Sequence, residues 1–157
     1  MINAVHHVAI STANLDRLAD FYCAGFGFIE ESRVGWPVGV EPINNIMGLP
    51  ESAARTVMLR LGSMRLELFQ FEEPAPPAVT ATRPVHHHGI THFCFDVTDI
   101  DAVYEQLETL GASFHCLPQD FGESKATYGR DPDGNVFELT EIFSQAGAKN
   151  PRNYLPK

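Results

Sequence analysis

The sequence predicts an α+β fold built from two copies of one module, in which a strand and a helix are followed by three more strands. Three features support this prediction. A short apolar run with a histidine near its head occurs twice, once at 5–12 and once at 91–99. In each copy the run leads into a segment whose apolar residues recur at helical spacing. Each copy ends on a strand-like run that places a glutamate between apolar residues, at Glu67 and at Glu138.

The two helices are predicted from the alignment of HHVAISTANLDRLADFY with THFCFDVTDIDAVYEQL. Asn14 and Asp99 stand where the helices should begin, and both residue types cap helix N-termini through their side chains. Gly25 and Gly111 are predicted to close the helices, because glycine is favoured just past a helix C-terminus. The apolar residues at helical spacing are Leu15, Leu18, Phe21 and Tyr22 in the first copy and Ile100, Val103, Leu107 and Leu110 in the second.

The remaining strands are predicted from runs of strand-like character. The first copy contributes GFIEESRV, RTVMLRLG and MRLELFQF, and the second contributes ASFHCL, KATYGR and NVFELTEI. Gly62 and Ser63 are expected to form a tight turn between two strands, and DPDGN at 131–135 is expected to form a hairpin. The stretch GWPVGVEPINNIMGLPES interrupts the first copy and is predicted to be irregular.

The domain boundaries follow from composition. The stretch EEPAPPAVTATRP is rich in proline and lacks periodicity, as expected of a linker. We therefore expect a first module over 1–72, a linker over 73–88, a second module over 89–143 and a C-terminal tail over 144–157.

Each copy directs one histidine and one glutamate to the same kind of sheet face. Side chains alternate across a strand, so a strand that packs its apolar residues on a helix turns the intervening residues the other way. In the first copy those residues include His7 and Glu67, and in the second they include His92 and Glu138. Carboxylates inside a sheet are costly unless they are paired or coordinate a cation. Two histidines and two glutamates suit a first-row divalent metal, so we expect one such ion per chain.

Four motifs also carry a family resemblance: HHVAI followed by NLD and FY, then RLELF, GITHFCFDV and DPDGNVFELTE. They resemble the vicinal oxygen chelate superfamily, which includes glyoxalase I, methylmalonyl-CoA epimerase, extradiol dioxygenases and the fosfomycin and bleomycin resistance proteins. The resemblance spans Val5 to Phe143. It implies paired βαβββ modules whose mixed sheets curl around a metal, the glyoxalase/bleomycin resistance/dioxygenase fold. It also implies that His7, rather than His6, is the first ligand.

Coordination number separates the reactions of this family. Four protein ligands leave two positions on an octahedral ion, which suit neighbouring oxygens of a substrate. This arrangement predicts a glyoxalase-type isomerase or lyase that stabilises an enolate or enediolate of a small carbonyl or acyl-thioester substrate. Glu138 or Glu67 would carry the proton. Two alternatives remain: an Fe(II) extradiol-type dioxygenase, whose site uses two histidines and one carboxylate, and a non-catalytic antibiotic-binding resistance protein. The ion itself is Zn, Ni, Co, Mn or Fe.

The substrate pocket is predicted less directly. Bacterial glyoxalase I proteins usually carry an arginine and an asparagine that grip glutathione, where this chain has Ser11 and Phe71. Glutathione adducts are therefore not the expected substrates. The side chains expected to line the pocket are Trp36, Phe69, Tyr128 and Arg130.

Composition limits the class of partner. The 157 residues carry a formal net charge of -9, which disfavours binding to nucleic acid and to anionic membrane surfaces. Small molecules are the expected ligands, and a homodimer is the expected assembly. The three cysteines form no CxxC motif and indicate neither a disulfide framework nor a zinc finger. Without a leader-like segment or an apolar span of bilayer length, we expect a cytoplasmic protein.

Overall fold

The computed structural model describes residues 1–77 and 82–143. The chain divides into two compact units, Met1–Thr80 and Ala81–Lys157. The expected C-terminal tail over 144–157 lies outside the described residues, as does part of the expected linker. The predicted domain boundaries stay predictions.

The first unit contains one four-stranded mixed sheet. Its strand order is β1-β4-β3-β2, in which β1 runs parallel to β4 and the other neighbours are antiparallel. The elements are β1 Val8–Ser11, α1 Leu15–Phe26, β2 Ile29–Trp36, α2 Glu41–Met47, β3 Ala53–Leu61 and β4 Met64–Glu73. Gly62 and Ser63 form the two-residue turn between β3 and β4, as predicted.

The core of the first unit lies between α1 and the sheet. The four apolar helix residues identified from the sequence are all buried, and the sheet meets them with residues of β3 and β4 that are fully buried. The helix side of this core consists of Leu15, Leu18, Phe21 and Tyr22, and the sheet side includes Val57, Leu59, Leu66 and Leu68.

The ends of α1 differ slightly from the prediction. Asn14 is the N-cap, and its side chain accepts a hydrogen bond from the Arg17 amide at 3.1 Å. The predicted closure at Gly25 is wrong, because Gly25 lies inside the last turn of the helix. Gly27 ends the helix instead, with a left-handed backbone at φ 75° that glycine adopts without strain.

The stretch predicted to be irregular contains a helix. α2 begins with a proline in its first turn and ends at Gly48, whose φ of 61° is left-handed. None of its seven residues is buried, so the hydrophobic periodicity that reveals a packed helix is missing. The expectation of irregular structure over this segment is therefore wrong at its centre.

The second unit repeats the plan of the first. Its sheet has the strand order β5-β9-β8-β6, with β7 also paired to β8, and β5 runs parallel to β9. The elements are β5 Phe93–Asp96, α3 Ile100–Thr109, β6 Ser113–Phe114, β7 Gln119–Asp120, β8 Ser124–Arg130 and β9 Val136–Ile142. The run ASFHCL is therefore not one strand, since only two of its residues pair with β8 before the chain turns toward β7.

The predicted hairpin at 131–135 is confirmed. The buried Asp131 organises it, because one carboxylate oxygen accepts hydrogen bonds from the amides of Asp133 and Asn135, each at 2.9 Å. The Asp131 amide in turn donates to the carbonyl of Asn135 at 3.0 Å. This local network sets the register of β8 against β9.

Both units thus have a strand, a helix and then antiparallel strands, the last of which returns to lie parallel to the first. The predicted α+β class is confirmed by these two mixed sheets and their few helices. Across residues 1–77 and 82–143, no helix is both long and apolar enough to cross a membrane.

In each unit, the strand that carries the late glutamate also caps the helix. Three residues after Glu67, the Gln70 side chain accepts a hydrogen bond from the Leu15 amide at 2.9 Å. Three residues after Glu138, the Glu141 carboxylate accepts from the amides that open α3, at 2.8 and 3.0 Å. These contacts fix each helix against the strand that bears the glutamate.

Replacement of Glu141 by alanine should destabilise the fold. The two amides at the start of α3 would lose their acceptor, and loss of a helix cap costs about 1–2 kcal/mol. Urea unfolding followed by circular dichroism measures the change. Glu105→Ala, an exposed position on the same helix, is the matched control and should change stability by less than about 0.5 kcal/mol. Equal stability of the two variants would contradict the capping role.

Candidate metal centre

The first unit brings His7 and Glu67 together. His7 directly precedes β1, and β1 lies parallel to β4 with Ala9 opposite Glu67. Leu66 and Leu68 are fully buried against the helix, so Glu67 between them faces the other side of the sheet. There the His7 Nε2 atom lies 3.2 Å from a Glu67 carboxylate oxygen.

The second unit forms the same pair from matching positions. His92 directly precedes β5, and Glu138 lies on β9 between Phe137 and Leu139, both fully buried. The His92 Nε2 atom lies 3.0 Å from a Glu138 carboxylate oxygen. The alternation argued from the sequence therefore holds in both units.

The spacing within each pair suits a shared metal ion. Nitrogen and oxygen ligands lie about 2.0–2.2 Å from a first-row ion, so two ligands at right angles lie roughly 3 Å apart. Both observed separations match this value, which is also that of a hydrogen bond from a protonated imidazole to a carboxylate. The four side chains are 18–37% exposed, which leaves both pairs accessible to an ion.

The second ring nitrogen of each histidine also has a partner. The Nδ1 atom of His7 lies 2.8 Å from the Nδ1 atom of His6, and the Nδ1 atom of His92 lies 3.0 Å from the Thr91 hydroxyl. In both units the partner is the residue just before the histidine. A partner at Nδ1 restrains the orientation of the imidazole ring, and in both units the Nε2 atom faces the glutamate. Neither partner is evident from the sequence pattern.

The Glu138 carboxylate contacts other polar side chains besides His92. The Thr140 hydroxyl donates a hydrogen bond to the Glu138 Oε1 atom at 3.1 Å, and the Cys94 thiol donates to the Thr140 hydroxyl at 3.4 Å. The Tyr128 hydroxyl lies 3.5 Å from the His92 Nε2 atom, and the two rings are 4.7 Å apart. Desolvation first, and then the charge of Glu138, raises the pKa of the Tyr128 phenol, so Tyr128 is neutral at physiological pH.

The ligands predicted from the sequence are thus found in pairs. Across the described ranges, no three His, Cys, Asp or Glu side chains gather closely enough to hold an ion. His86 and His87 contact each other, and Arg83 donates to the backbone carbonyls of His87 and His88, but this cluster provides no such group. Each pair is half of the predicted set, and the four-ligand site stays a prediction.

Comparison with known proteins places the chain in a family. The family model described as the Glyoxalase/Bleomycin resistance protein/Dioxygenase superfamily matches residues 4–139. The chain belongs to this superfamily.

Two individual relatives match most of the chain, and a third matches about a third of it. The Escherichia coli K12 protein YaeR is 30% identical over 141 residues, which cover 89% of this chain and 97% of that protein. A glyoxalase family protein from Bacillus cereus has a crystal structure that superposes with a TM-score of 0.82 at 26% identity, covering 92% of this chain and 97% of that one. A lactoylglutathione lyase from Pseudomonas aeruginosa is 40% identical over 53 residues, which cover 34% of this chain and 30% of that enzyme.

Two of the side chains expected to line the pocket, Phe69 and Trp36, lie on the side of the first sheet that carries Glu67. Phe69 follows Glu67 by two residues on β4 and therefore faces the same side of the sheet. Its ring contacts Trp36 edge to face at 6.1 Å and stacks on Phe71 at 5.7 Å. The Trp36 indole donates to the buried Ser52 hydroxyl at 3.1 Å. Trp36, Phe69 and Phe71 form an aromatic cluster on the side of the sheet that carries Glu67.

The other two expected pocket residues lie in the second unit. Tyr128 stands directly opposite Glu138 across the β8–β9 pair and contacts His92. Arg130 uses its guanidinium on backbone carbonyls, donating to Gly134 at 2.7 Å and to Arg83 at 3.1 Å. Tyr128 is thus part of the histidine–glutamate cluster, while Arg130 ties the hairpin to the segment before β5.

Proposed function

We propose that the protein is a divalent-metal-dependent isomerase or lyase of the glyoxalase type, acting next to the carbonyl of a small carbonyl or acyl-thioester substrate. The observation that carries this proposal is the duplicated pair of His Nε2 and Glu oxygen at 3.2 and 3.0 Å. Each unit supplies the same two ligand types from the same positions of the same topology. That repetition favours a common task for the two pairs.

The proposed ligands of the ion are His7, Glu67, His92 and Glu138, with one ion per chain. The two pairs come together either within one chain or between the chains of a homodimer. The ion is Zn, Ni, Co, Mn or Fe, since imidazole and carboxylate ligands suit these metals. When bound, it supplies a Lewis acid that polarises a substrate carbonyl and its neighbouring oxygen.

The chain itself supplies the proton transfer. Glu67 and Glu138 are the carboxylates that would stand beside the substrate, and a glutamate in that place accepts the proton from the carbon next to the carbonyl. Tyr128 is neutral and lies beside His92, so its hydroxyl is available as a hydrogen-bond donor. An enolate is stabilised by fixed hydrogen-bond donors of this kind, because they point to the oxygen on which its negative charge develops.

The aromatic cluster supports a substrate with an apolar portion. Phe69 offers ring surface on the same face as Glu67, and Trp36 and Phe71 extend it. Phe71 occupies a position where bacterial glyoxalase I binds glutathione through an asparagine. An apolar acyl or carbonyl compound therefore fits this surface better than a glutathione adduct.

Metal binding is the first expectation from this proposal. His92→Ala should abolish tight binding of a divalent ion, because it removes one of the proposed ligands and leaves Glu138 without its neighbour. The bound metal after dialysis, measured by inductively coupled plasma mass spectrometry, should fall from about one ion per chain to near zero.

His87→Ala is the matched control for that experiment. It replaces a histidine of the exposed cluster and should leave the bound metal unchanged. Equal metal occupancy in the wild type and in His92→Ala would contradict the assignment of His92 as a ligand.

Hydrogen exchange at carbon is the second expectation. The metal-loaded protein, incubated in D2O with a panel of 2-oxo, 2-hydroxycarbonyl and acyl-thioester compounds, should introduce deuterium at the carbon next to the carbonyl of its substrate. Glu138→Gln should suppress this exchange even when metal is retained, because Glu138 is a carboxylate proposed to carry the proton. Mass spectrometry or proton NMR detects the exchange. Oxygen uptake with a catechol and no deuterium incorporation would instead establish the dioxygenase alternative.

A further inference from the structure

The side of the first sheet that carries Glu67 changes in character along β4, and we call this side the open face. Arg65, Glu67 and Phe69 follow one another at intervals of two residues, so their side chains all lie on the open face. Arg65 and Phe69 are about 14 Å apart along the strand, with Glu67 midway between them. The open face is therefore basic at one end and aromatic at the other.

The basic end consists of two arginines that share one carboxylate. Arg60 lies directly opposite Arg65 across the β3–β4 pair. The Arg60 Nε atom lies 2.7 Å from Glu31 Oε1, and the Arg65 Nε atom lies 2.6 Å from Glu31 Oε2. The hydrogen bond from Arg65 lowers the pKa of Glu31, so its carboxylate is ionised at physiological pH. Two positive charges against one negative charge leave this cluster with an excess of one positive charge.

Each guanidinium of the cluster keeps donors for a ligand. A guanidinium carries five N–H groups. Arg65 directs Nε and Nη2 to Glu31, and Arg60 directs Nε to Glu31 and Nη1 to the Gly62 carbonyl. Among the described residues, the Arg65 Nη1 and Arg60 Nη2 atoms have no hydrogen-bond partner. The three charged side chains are 29–37% exposed, so these donors are accessible to a small molecule.

A bulge in β2 places Glu31 between the two arginines. Glu30 lies opposite Leu59 and Ser32 lies opposite Met58, so Glu31 is an extra residue on β2. Such a bulge redirects the side chain of the inserted residue. The Glu31 carboxylate thereby restrains both guanidinium groups in one orientation, which lowers the entropic cost of binding a further anion.

We infer that Arg60 and Arg65 are specificity residues that bind a carboxylate of the substrate. A carboxylate carries one negative charge, which matches the excess charge of the cluster, and it accepts the paired hydrogen bonds that guanidinium groups donate. This inference rests on the proposed function and names its substrate class. The substrate is a carbonyl compound with an apolar group for the aromatic cluster, a carboxylate for the two arginines and its carbonyl between them, beside Glu67.

The test compares two probes that differ in charge alone, 8-phenyloctanoate and its neutral amide. Trp36 is the only tryptophan in the sequence, and it contacts Phe69 at the aromatic end, so its fluorescence reports binding there. The ratio of the two dissociation constants measures the preference for the carboxylate. The full-length wild type should bind the carboxylate about tenfold more tightly than the amide, as hydrogen bonds to a charged group at a partly exposed site predict.

Arg65→Gln should reduce the preference to about twofold or less, because it removes one of the two guanidinium groups. Arg55→Gln is the matched control, since it removes the same charge from β3. The Arg55 side chain lies on the opposite face of the sheet and pairs with Glu72 at 3.3 Å. It should leave the preference unchanged. Circular dichroism spectra establish that each variant is folded.

Glu31→Gln separates ligand binding from a purely structural role. It removes the internal carboxylate that competes for the two guanidinium groups, so the preference should rise about threefold. Glu72→Gln changes the net charge equally on the opposite face and should have no such effect. Clusters that only brace β2 would give the same preference in the wild type, Glu31→Gln and Arg65→Gln.

Equal binding of the two probes by the wild type, no fluorescence change with either probe, or equal losses in Arg55→Gln and Arg65→Gln would overturn this inference. The metal content of the same wild-type protein is measured in parallel. A protein that prefers the carboxylate but binds no divalent ion would refute the proposed function and leave the two arginines as an anion site. A protein that binds the ion without this preference would refute only the inference.

Discussion

The candidate site depends on one constraint, the alternation of side chains along the last strand of each unit. Leu66 and Leu68 are fully buried on the helix side of β4, and Phe137 and Leu139 are fully buried on β9. Burial of each such side chain contributes about 1.5–3 kcal/mol. The residue between each buried pair must then face the other way, and in both units that residue is a glutamate. The hydrophobic core therefore orients the proposed ligands.

A second constraint fixes the position of these strands along the sheet. Gln70 and Glu141 lie three residues beyond the glutamates and accept hydrogen bonds from the amides that open α1 and α3. A shift of one residue would break these caps and turn the glutamate into the core. The strand that bears a ligand is thus held by packing on one face and by a helix cap at its end. This double restraint suits a site that must hold its geometry without help from long loops.

Much of the fold is predictable from the sequence, because it depends on interactions between residues that are close together in the chain. The N-caps at Asn14 and Asp99, the two tight turns and the faces of β4 and β9 all depend on residues close together in the chain. α2 is not evident from the sequence because none of its residues is buried against the core. Asn44, on this helix, instead accepts from the Ser52 amide at 2.9 Å and from its hydroxyl at 2.7 Å, contacts that apolar periodicity does not reveal.

The hydrogen bonds that support the proposed ligands also could not be predicted from the sequence. The link from Cys94 to Thr140 to Glu138 depends on the register of β5 against β9, which places residues more than forty positions apart in contact. The Nδ1 contact of His7 depends on a side-chain orientation before β1 begins. Residue type and spacing predict which side chains are candidate metal ligands. The strand register determines which other side chains form hydrogen bonds to those ligands.

X-ray absorption spectroscopy of the metal-loaded protein tests the central claim most directly, because it counts the ligands around the ion. If the two pairs bind one ion, the fine structure at the metal edge should fit two imidazoles and two carboxylates, with nitrogen and oxygen shells at about 2.0–2.2 Å. A fit with one imidazole per ion would show that each histidine–glutamate pair acts separately, and it would contradict the account.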